Sequence, residues 1–174
     1  FRYFAMAYAG RLAGWTFGWN SHGIVHTVNA LYVLKNSSLG LGTNFMAREI
    51  LRASSVRDAV HRAQRAGQDG GSHFNIGSIY ASCNSSDPCQ VSIETSWEGT
   101  TVLNLGHEPL QSSFYSHFNA YLHTDKPAAG DYTSSIYRLA RATTMASRPA
   151  AAGLIMPTAS QHPETIVLHS GNYR

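Results

Sequence analysis

The chain has 174 residues, enough for a single domain over 1–174 that buries roughly two thirds of its unfolded surface. Hydrophobic residues make up 43% and charged residues only 13%, against ~25% in ordinary soluble domains, so a disordered acidic or basic protein is excluded. The net charge is +3, and eleven of the thirteen basic residues are arginine. Arg48, Arg52, Arg57, Arg62 and Arg65 read as solvated helix faces, with no aromatic-basic module for nucleic acid.

Residues 3–9 are aromatic-rich and predict a strand, followed by a turn from Gly10 to Gly14. Trp15 to Trp19 predicts a second strand, Asn20-Ser21-His22-Gly23 a turn, and 24–34 a third strand, which together suggest an antiparallel meander. From Thr43 to Ala53 the spacing predicts a helix with Phe45, Met46, Ile50 and Leu51 near one face. Ser54 or Ser55 suits the N-cap of a second helix, with Asp58 in its first turn, an apolar stripe at Val56, Ala59, Val60, Ala63 and Ala66, and Gly67 after its end.

Strand signals return at 73–80. In 90–96, Val91, Ile93 and Thr95 share one face, and 100–105 forms the hairpin partner after Glu98-Gly99. A short strand at 113–118 follows. A helix from Thr133 to Met145 turns Ile136, Leu139, Ala140 and Thr143 inward, and 151–158 and 164–170 read as closing strands. This segregated order of strands and helices implies an α+β fold with helices layered on antiparallel sheet. No apolar run reaches the ~20 residues needed to span a bilayer.

Cys83 and Cys89 flank a turn signal at Asp87-Pro88, a spacing that suits a small disulfide loop. Asn84-Ser85-Ser86 and Asn36-Ser37-Ser38 are glycosylation sequons in predicted loops. A disulfide with two sequons favours a secretory compartment, with free thiols in the cytoplasm as the alternative. Two cysteines without a second pair do not make a zinc site, so no metal is expected.

The search for chemistry finds no P-loop, nucleophile elbow or His-Glu-x-x-His pattern. His22, His26, His73, His117 and His123 fall near predicted strand ends, where a metal site built from several of them is the sharper reading and satisfied rim histidines the ordinary case. Asn119, in Ser116-His117-Phe118-Asn119, stands out, because an Asn amide at a strand end can donate to a developing oxyanion.

Tyr8-Ala9-Gly10, then Asn20-Ser21-His22-Gly23-Ile24-Val25, then Asn29-Ala30-Leu31 resemble the core signature of the isopenicillin N acyltransferase family. The helical stretches around Ala47-Arg48-Glu49-Ile50-Leu51 and Ser54-Ser55-Val56-Arg57-Asp58-Ala59 follow in that family's order. Gly71-Ser72-His73-Phe74-Asn75, His117-Phe118-Asn119 and Ser134-Ser135 with Arg138 continue it to about residue 145. The Tyr-Ala-Gly and Asn-Ser-His-Gly wording is most similar to β-alanyl-dopamine hydrolases.

The resemblance implies a four-layer αββα N-terminal-nucleophile hydrolase fold, with antiparallel sheets sandwiched by helices. It implies a precursor that cuts itself before a Cys, which becomes the nucleophile of the larger subunit and forms an acyl-enzyme with an amide. Phe1 is not such a nucleophile, so the chain reads as most of the larger subunit without its nucleophile segment, partnered by the cleaved smaller subunit. By carry-over, Asn119 is the oxyanion donor, His117 an orienting residue and Ser72 an accessory. Tyr8, Trp15 and Trp19 are candidates to line the pocket for a small-molecule amide or acyl substrate, and no cofactor is required. The competing reading is a non-catalytic secreted glycoprotein that uses the same scaffold for binding or assembly.

Overall fold

The computed structural model describes residues 1–65, 67–80, 88–105, 115–124 and 132–146. Six strands, β1 (Tyr3–Ala5), β2 (Phe17–Asn20), β3 (Ile24–Leu31), β4 (Gly71–Ser78), β5 (Gln90–Ser96) and β6 (Gly99–Asn104), form one antiparallel sheet in sequential order. Helices α1 (Thr43–Ile50) and α2 (Val56–Arg65) are inserted between β3 and β4, and α3 (Thr133–Ala146) comes last. The expected α+β class holds, and the described residues supply one sheet of the two expected. None of their helices is long and apolar enough to cross a membrane.

The β2–β3 hairpin is set by Asn20 and Gly23. Gly23 has φ 79°, and a Cβ there would run into the Tyr80 ring. Only glycine meets both conditions. The Asn20 side chain accepts from the N–H groups of His22 (2.9 Å) and Ile24 (3.1 Å) and donates to the carbonyls of Leu51 (2.9 Å) and Ala53 (2.7 Å). One buried amide thereby closes the turn and donates to the otherwise orphaned carbonyls at the end of α1.

The start of α2 is fixed by Ser55, whose hydroxyl accepts the Asp58 N–H at 3.0 Å, while Asp58 reaches back to the Ser54 N–H at 2.9 Å. Arg62 then bridges Asp58 (2.9 Å) and Glu49 of α1 (3.1 Å), tying the two helices together. Met46, Ala47, Ile50, Val56, Ala59 and Ala63 from the helices meet Ile24, Val28, Phe74, Ile76, Val91 and Ile93 from the sheet. Each of the larger aliphatic side chains contributes roughly 1.5–3 kcal/mol of burial. Phe45, expected inward, is instead 56% exposed, because Ala47 takes its place on the packed stripe.

Other departures have simple causes. Residues 6–16 leave the sheet after Ala5, so the first strand is shorter than 3–9 and the second starts at Phe17. Tyr115 to Phe118 is not a strand, because its polar groups bond across the sheet rather than along an edge. In α3 the expected inward face holds only at Leu139, which is half-buried: Ile136 is 52% exposed, Ala140 and Thr143 are exposed, and Ser135 is the buried residue. His26 and His73 lie in mid-strand and are buried, not at rims. The tail strands expected at 151–158 and 164–170 lie outside the described residues, as do Ala66, Cys83 and Asn84.

His26 shares the helix-facing side of β3 with Ile24 and Val28. Its Nε2 donates to the Gly14 carbonyl at 3.0 Å, which ties the β1–β2 loop to the core, and its Nδ1 has no partner among the described residues. Burial pushes its pKa down from 6.5 to about 4, with the bond to Gly14 opposing.

Two outcomes follow from these contacts. Asn20→Ala strands two carbonyls and two N–H groups, and should cost roughly 3 kcal/mol in urea unfolding. For His26 the native pKa lies below the unfolded one, so the unfolded state binds the proton first. Stability is full above pH 6.5 and is lost as pH falls towards 4, by about 3 kcal/mol. His26→Gln keeps a donor for Gly14 but cannot titrate, so urea midpoints at pH 7 and pH 4.5 should differ less in the variant than in the parent.

Candidate functional site

The face of the sheet opposite α1 and α2 is polar in its central strands. The register aligns Asn29 of β3, His73 of β4 and Glu94 of β5 in one row, with Thr27, Asn75 and Ser92 in the row beside it. Alternation produces this division: Val28, Phe74 and Ile93 face the helices, so their chain neighbours face away. Residues 115–124 lie across this polar face.

Glu94 is 1% exposed. Its Oε1 accepts from His117 Nε2 (2.8 Å), the Leu122 N–H (2.6 Å) and the His123 N–H (3.2 Å), and its Oε2 lies 3.1 Å from the same His123 N–H. Burial alone would raise its pKa. The His117 imidazole, the Leu122 N–H and the Thr124 hydroxyl outweigh that and hold it below the ordinary carboxylate value. The other ring nitrogen of His117 meets the Phe118 carbonyl at 2.6 Å, so both nitrogens are engaged and the ring has one orientation.

The His117 ring stacks face to face on His73, with centroids 3.4 Å apart and planes within 7°. Asn29 Nδ2 donates to the His117 carbonyl at 3.0 Å and lies 3.4 Å from His73 Nδ1. That donor makes Nδ1 the acceptor and leaves the hydrogen of His73 on Nε2, which points at Ser92 Oγ 2.8 Å away. Ser92 Oγ in turn lies 2.7 Å from the Tyr115 hydroxyl, and that hydroxyl 2.9 Å from His123 Nε2. His73 thus donates to Ser92, and contacts continue through Tyr115 to His123.

This tautomer decides what Ser92 can do. A serine nucleophile needs an unprotonated base nitrogen beside it. Ser92 faces an N–H instead, so the pair braces the sheet rather than forming a catalytic dyad. Burial raises the Tyr115 pKa, the Ser92 bond opposing, so the phenol stays neutral. Burial lowers the pKa of His123, with Glu94 opposing and His117 assisting, which favours the acceptor form. Among the described residues no group of three or more His, Cys, Asp or Glu side chains converges as a metal ion would need.

Asn119 sits two residues beyond His117, half-buried. Its Nδ2 donates to the Ala30 carbonyl at 2.9 Å, and its Oδ1 accepts from Arg138 at 2.9 Å. Its backbone N–H donates to Ser135 Oγ at 3.2 Å, and the same hydroxyl accepts from Arg138 at 3.0 Å. The amide is thus oriented without ambiguity: nitrogen towards a carbonyl, oxygen towards a guanidinium. One Nδ2 hydrogen goes to Ala30, and the second has no acceptor among the described residues. Arg138 also lies over the Phe118 ring, 4.9 Å from its centroid.

The other sequence-derived residues are not gathered here. Ser72 is buried on the helix side of β4, bonded to Thr43 Oγ1 at 2.7 Å. Trp19 pairs with Val25, so it stands roughly 16 Å along β3 from Ala30. It stacks on Phe4 at 5.4 Å, Trp15 lies beneath Arg11, and Tyr8 is exposed in the β1–β2 loop. Cys89 is buried just before β5, with its expected partner Cys83 outside the described residues. Asn36 is exposed in the loop after β3.

Glu94, Ser92 and Tyr115 were not singled out by sequence reasoning, and His123 was named only among the strand-end histidines. For Glu94 the signal was available: the alternation that buries Val91 and Ile93 leaves a carboxylate in mid-strand on the opposite face.

These observations put an oriented amide donor beside a buried carboxylate–imidazole pair, and the sequence that carries it is covered by a family model. The model described as acyl-coenzyme A:6-aminopenicillanic acid acyl-transferase matches residues 2–151. The chain belongs to that family. Asn119, His117, Glu94, Ser135 and Arg138 all fall within the matched span of the acyl-transferase family. A comparison with curated proteins gives no match.

Because α3 buries little beyond Ser135, its docking relies on the Arg138 and Ser135 contacts with Asn119. Arg138→Leu should raise amide hydrogen exchange in 133–146 by about tenfold or more, a loss of ~1.4 kcal/mol, while β3 to β5 keep their protection.

Proposed function

We propose that this chain forms most of the larger subunit of an amide hydrolase or acyltransferase that works through an N-terminal cysteine. The observation that carries the reading is Asn119, an amide fixed by Ala30 and Arg138 with one N–H left for an incoming oxygen, inside the family match. An amide carbonyl becomes an oxyanion when a thiolate adds to it, and a fixed donor stabilises that charge without reorganising.

In this reading the thiol belongs to the precursor segment ahead of Phe1, as the family resemblance implies. Its α-amino group, with an ordinary pKa near 8, takes the thiol proton. The thiolate attacks the amide carbonyl carbon, the amine leaves with a proton, and water or a second amine resolves the thioester. Substrates are β-alanyl or related acyl amides of amines, following the resemblance to β-alanyl-dopamine hydrolases. The second sheet of a four-layer fold would cover the polar face, and the cleaved smaller subunit would complete the assembly. Secretory processing fits the exposed Asn36 sequon and a Cys83–Cys89 loop.

The test uses the protein matured from its complete precursor. Alkylation of the N-terminal cysteine should abolish release of amine from an N-acyl amine. Asn119→Ala should lower kcat by roughly 10²- to 10³-fold, or ~3–4 kcal/mol of transition-state stabilisation. Undiminished turnover after alkylation would refute the cysteine mechanism. Turnover unchanged by Asn119→Ala would refute the oxyanion assignment.

A further inference from the structure

The segment that presents Asn119 is an arch whose two limbs end on the same carboxylate oxygen. His117 on the incoming limb and Leu122 and His123 on the outgoing limb all donate to Glu94 Oε1. The outgoing limb is fixed a second time beside it, where the Tyr121 hydroxyl donates to the Thr95 carbonyl at 2.8 Å. At its crown Asn119 touches other elements altogether: Ala30 on β3, and Ser135 and Arg138 on α3. The distance from Glu94 to the crown therefore sets how the Asn119 amide meets its partners and what its remaining N–H faces.

We propose that Glu94 is a positioning residue for the Asn119 donor, closing the arch of residues 117–123 so that the amide is held ready for the substrate oxygen. The inference rests on the reading of Asn119 as the oxyanion donor and extends it to a residue that does not touch the substrate.

The chemistry at Glu94 requires a carboxylate. The His117 Nε2, Leu122 N–H and His123 N–H bonds all run towards the acid as donor to acceptor. An ionised carboxylate is acceptor-only and can take all of them. A glutamine of the same size could keep its oxygen on His117 and Leu122, but its NH2 would then stand where Oε2 lies 3.1 Å from the His123 N–H, donor against donor. The outgoing limb must then move away at His123, and the crown moves with it. His117 cannot take over as anchor for the outgoing limb, because its ring nitrogens are already committed to Glu94 and the Phe118 carbonyl.

The experiment compares the complete mature protein with Glu94→Gln, Glu94→Asp and His117→Asn. Two readouts are taken: the side-chain ¹⁵N–¹H pair of Asn119, assigned by its loss in Asn119→Asp, and kcat and KM for an N-acyl amine. In Glu94→Gln the Asn119 pair should shift or broaden while the sheet amides stay in place. Its kcat should fall about 10- to 100-fold with KM within about threefold, the pattern of a displaced transition-state donor. Glu94→Asp, which keeps the carboxylate, should recover part of both. If Glu94→Gln does not fold, His117→Asn, whose amide can replace Nδ1 but not Nε2, cuts only the incoming limb and should give the same two changes. An Asn119 pair unmoved in a folded variant, with kcat unchanged, would overturn the proposal and leave Glu94 as a stabilising residue only. If the parent protein turns over no amide, the proposed function fails, and the Asn119 signal alone decides this inference.

Discussion

A carboxylate removed from water must find its donors in the protein or give up its charge. Glu94 stands at the middle of β5 with 1% of its surface exposed, and the donors it finds all come from one stretch of chain, residues 117 to 124. That local requirement shapes the rest of the site. It draws an irregular segment across the centre of a sheet, where regular strand pairing would otherwise be expected. It stacks His117 on His73, and so connects β5 to β4. At the crown of the arch, Asn119 becomes the point where β3 and α3 meet. Taking one donor away from a buried carboxylate leaves charge uncompensated, at a cost of roughly 1–3 kcal/mol, so the arrangement persists only as a whole.

The sheet keeps two kinds of packing apart. On the helix side, Phe74, Ile93 and their neighbours meet α1 and α2 in an apolar core, with His26 as the one imidazole tolerated there in neutral form. On the other side, hydrogen bonds replace apolar contact, and nearly every polar atom has an assigned direction. Non-directional packing supplies stability, while directional bonds fix geometry. A site that must hold an amide N–H towards a developing charge needs the second kind, on a scaffold made rigid by the first.

The sequence made the scaffold legible and much of the site not. Residues 90–96 alternate so cleanly that β5 begins and ends where the pattern says, and Gly99 opens its partner. The α2 cap was readable because Ser55 and Asp58 act within one turn. Local chemistry announces local structure. The failures were long-range. The stretch 115–118 looked like a strand because it is aromatic, yet its partners are Ser92 and Glu94, more than twenty residues away. Helix α3 was oriented by its apolar stripe, but it docks through Ser135 and Arg138, polar residues whose partner is Asn119. Asn119 itself was found through the ordered motifs of a family rather than through its surroundings, and the bond to Ala30 that orients it has no trace in spacing.

In the proposed reaction, the Asn119 N–H that has no acceptor among the described residues marks where an acyl carbonyl oxygen sits. The most direct measurement is a crystal structure of the mature protein with a stable acyl adduct trapped on its nucleophile. The adduct's carbonyl oxygen should lie about 3 Å from Asn119 Nδ2, with the contacts to Ala30, Arg138 and Ser135 intact. An adduct whose oxygen is held by other donors, with Asn119 turned away from it, would rule Asn119 out as the oxyanion donor.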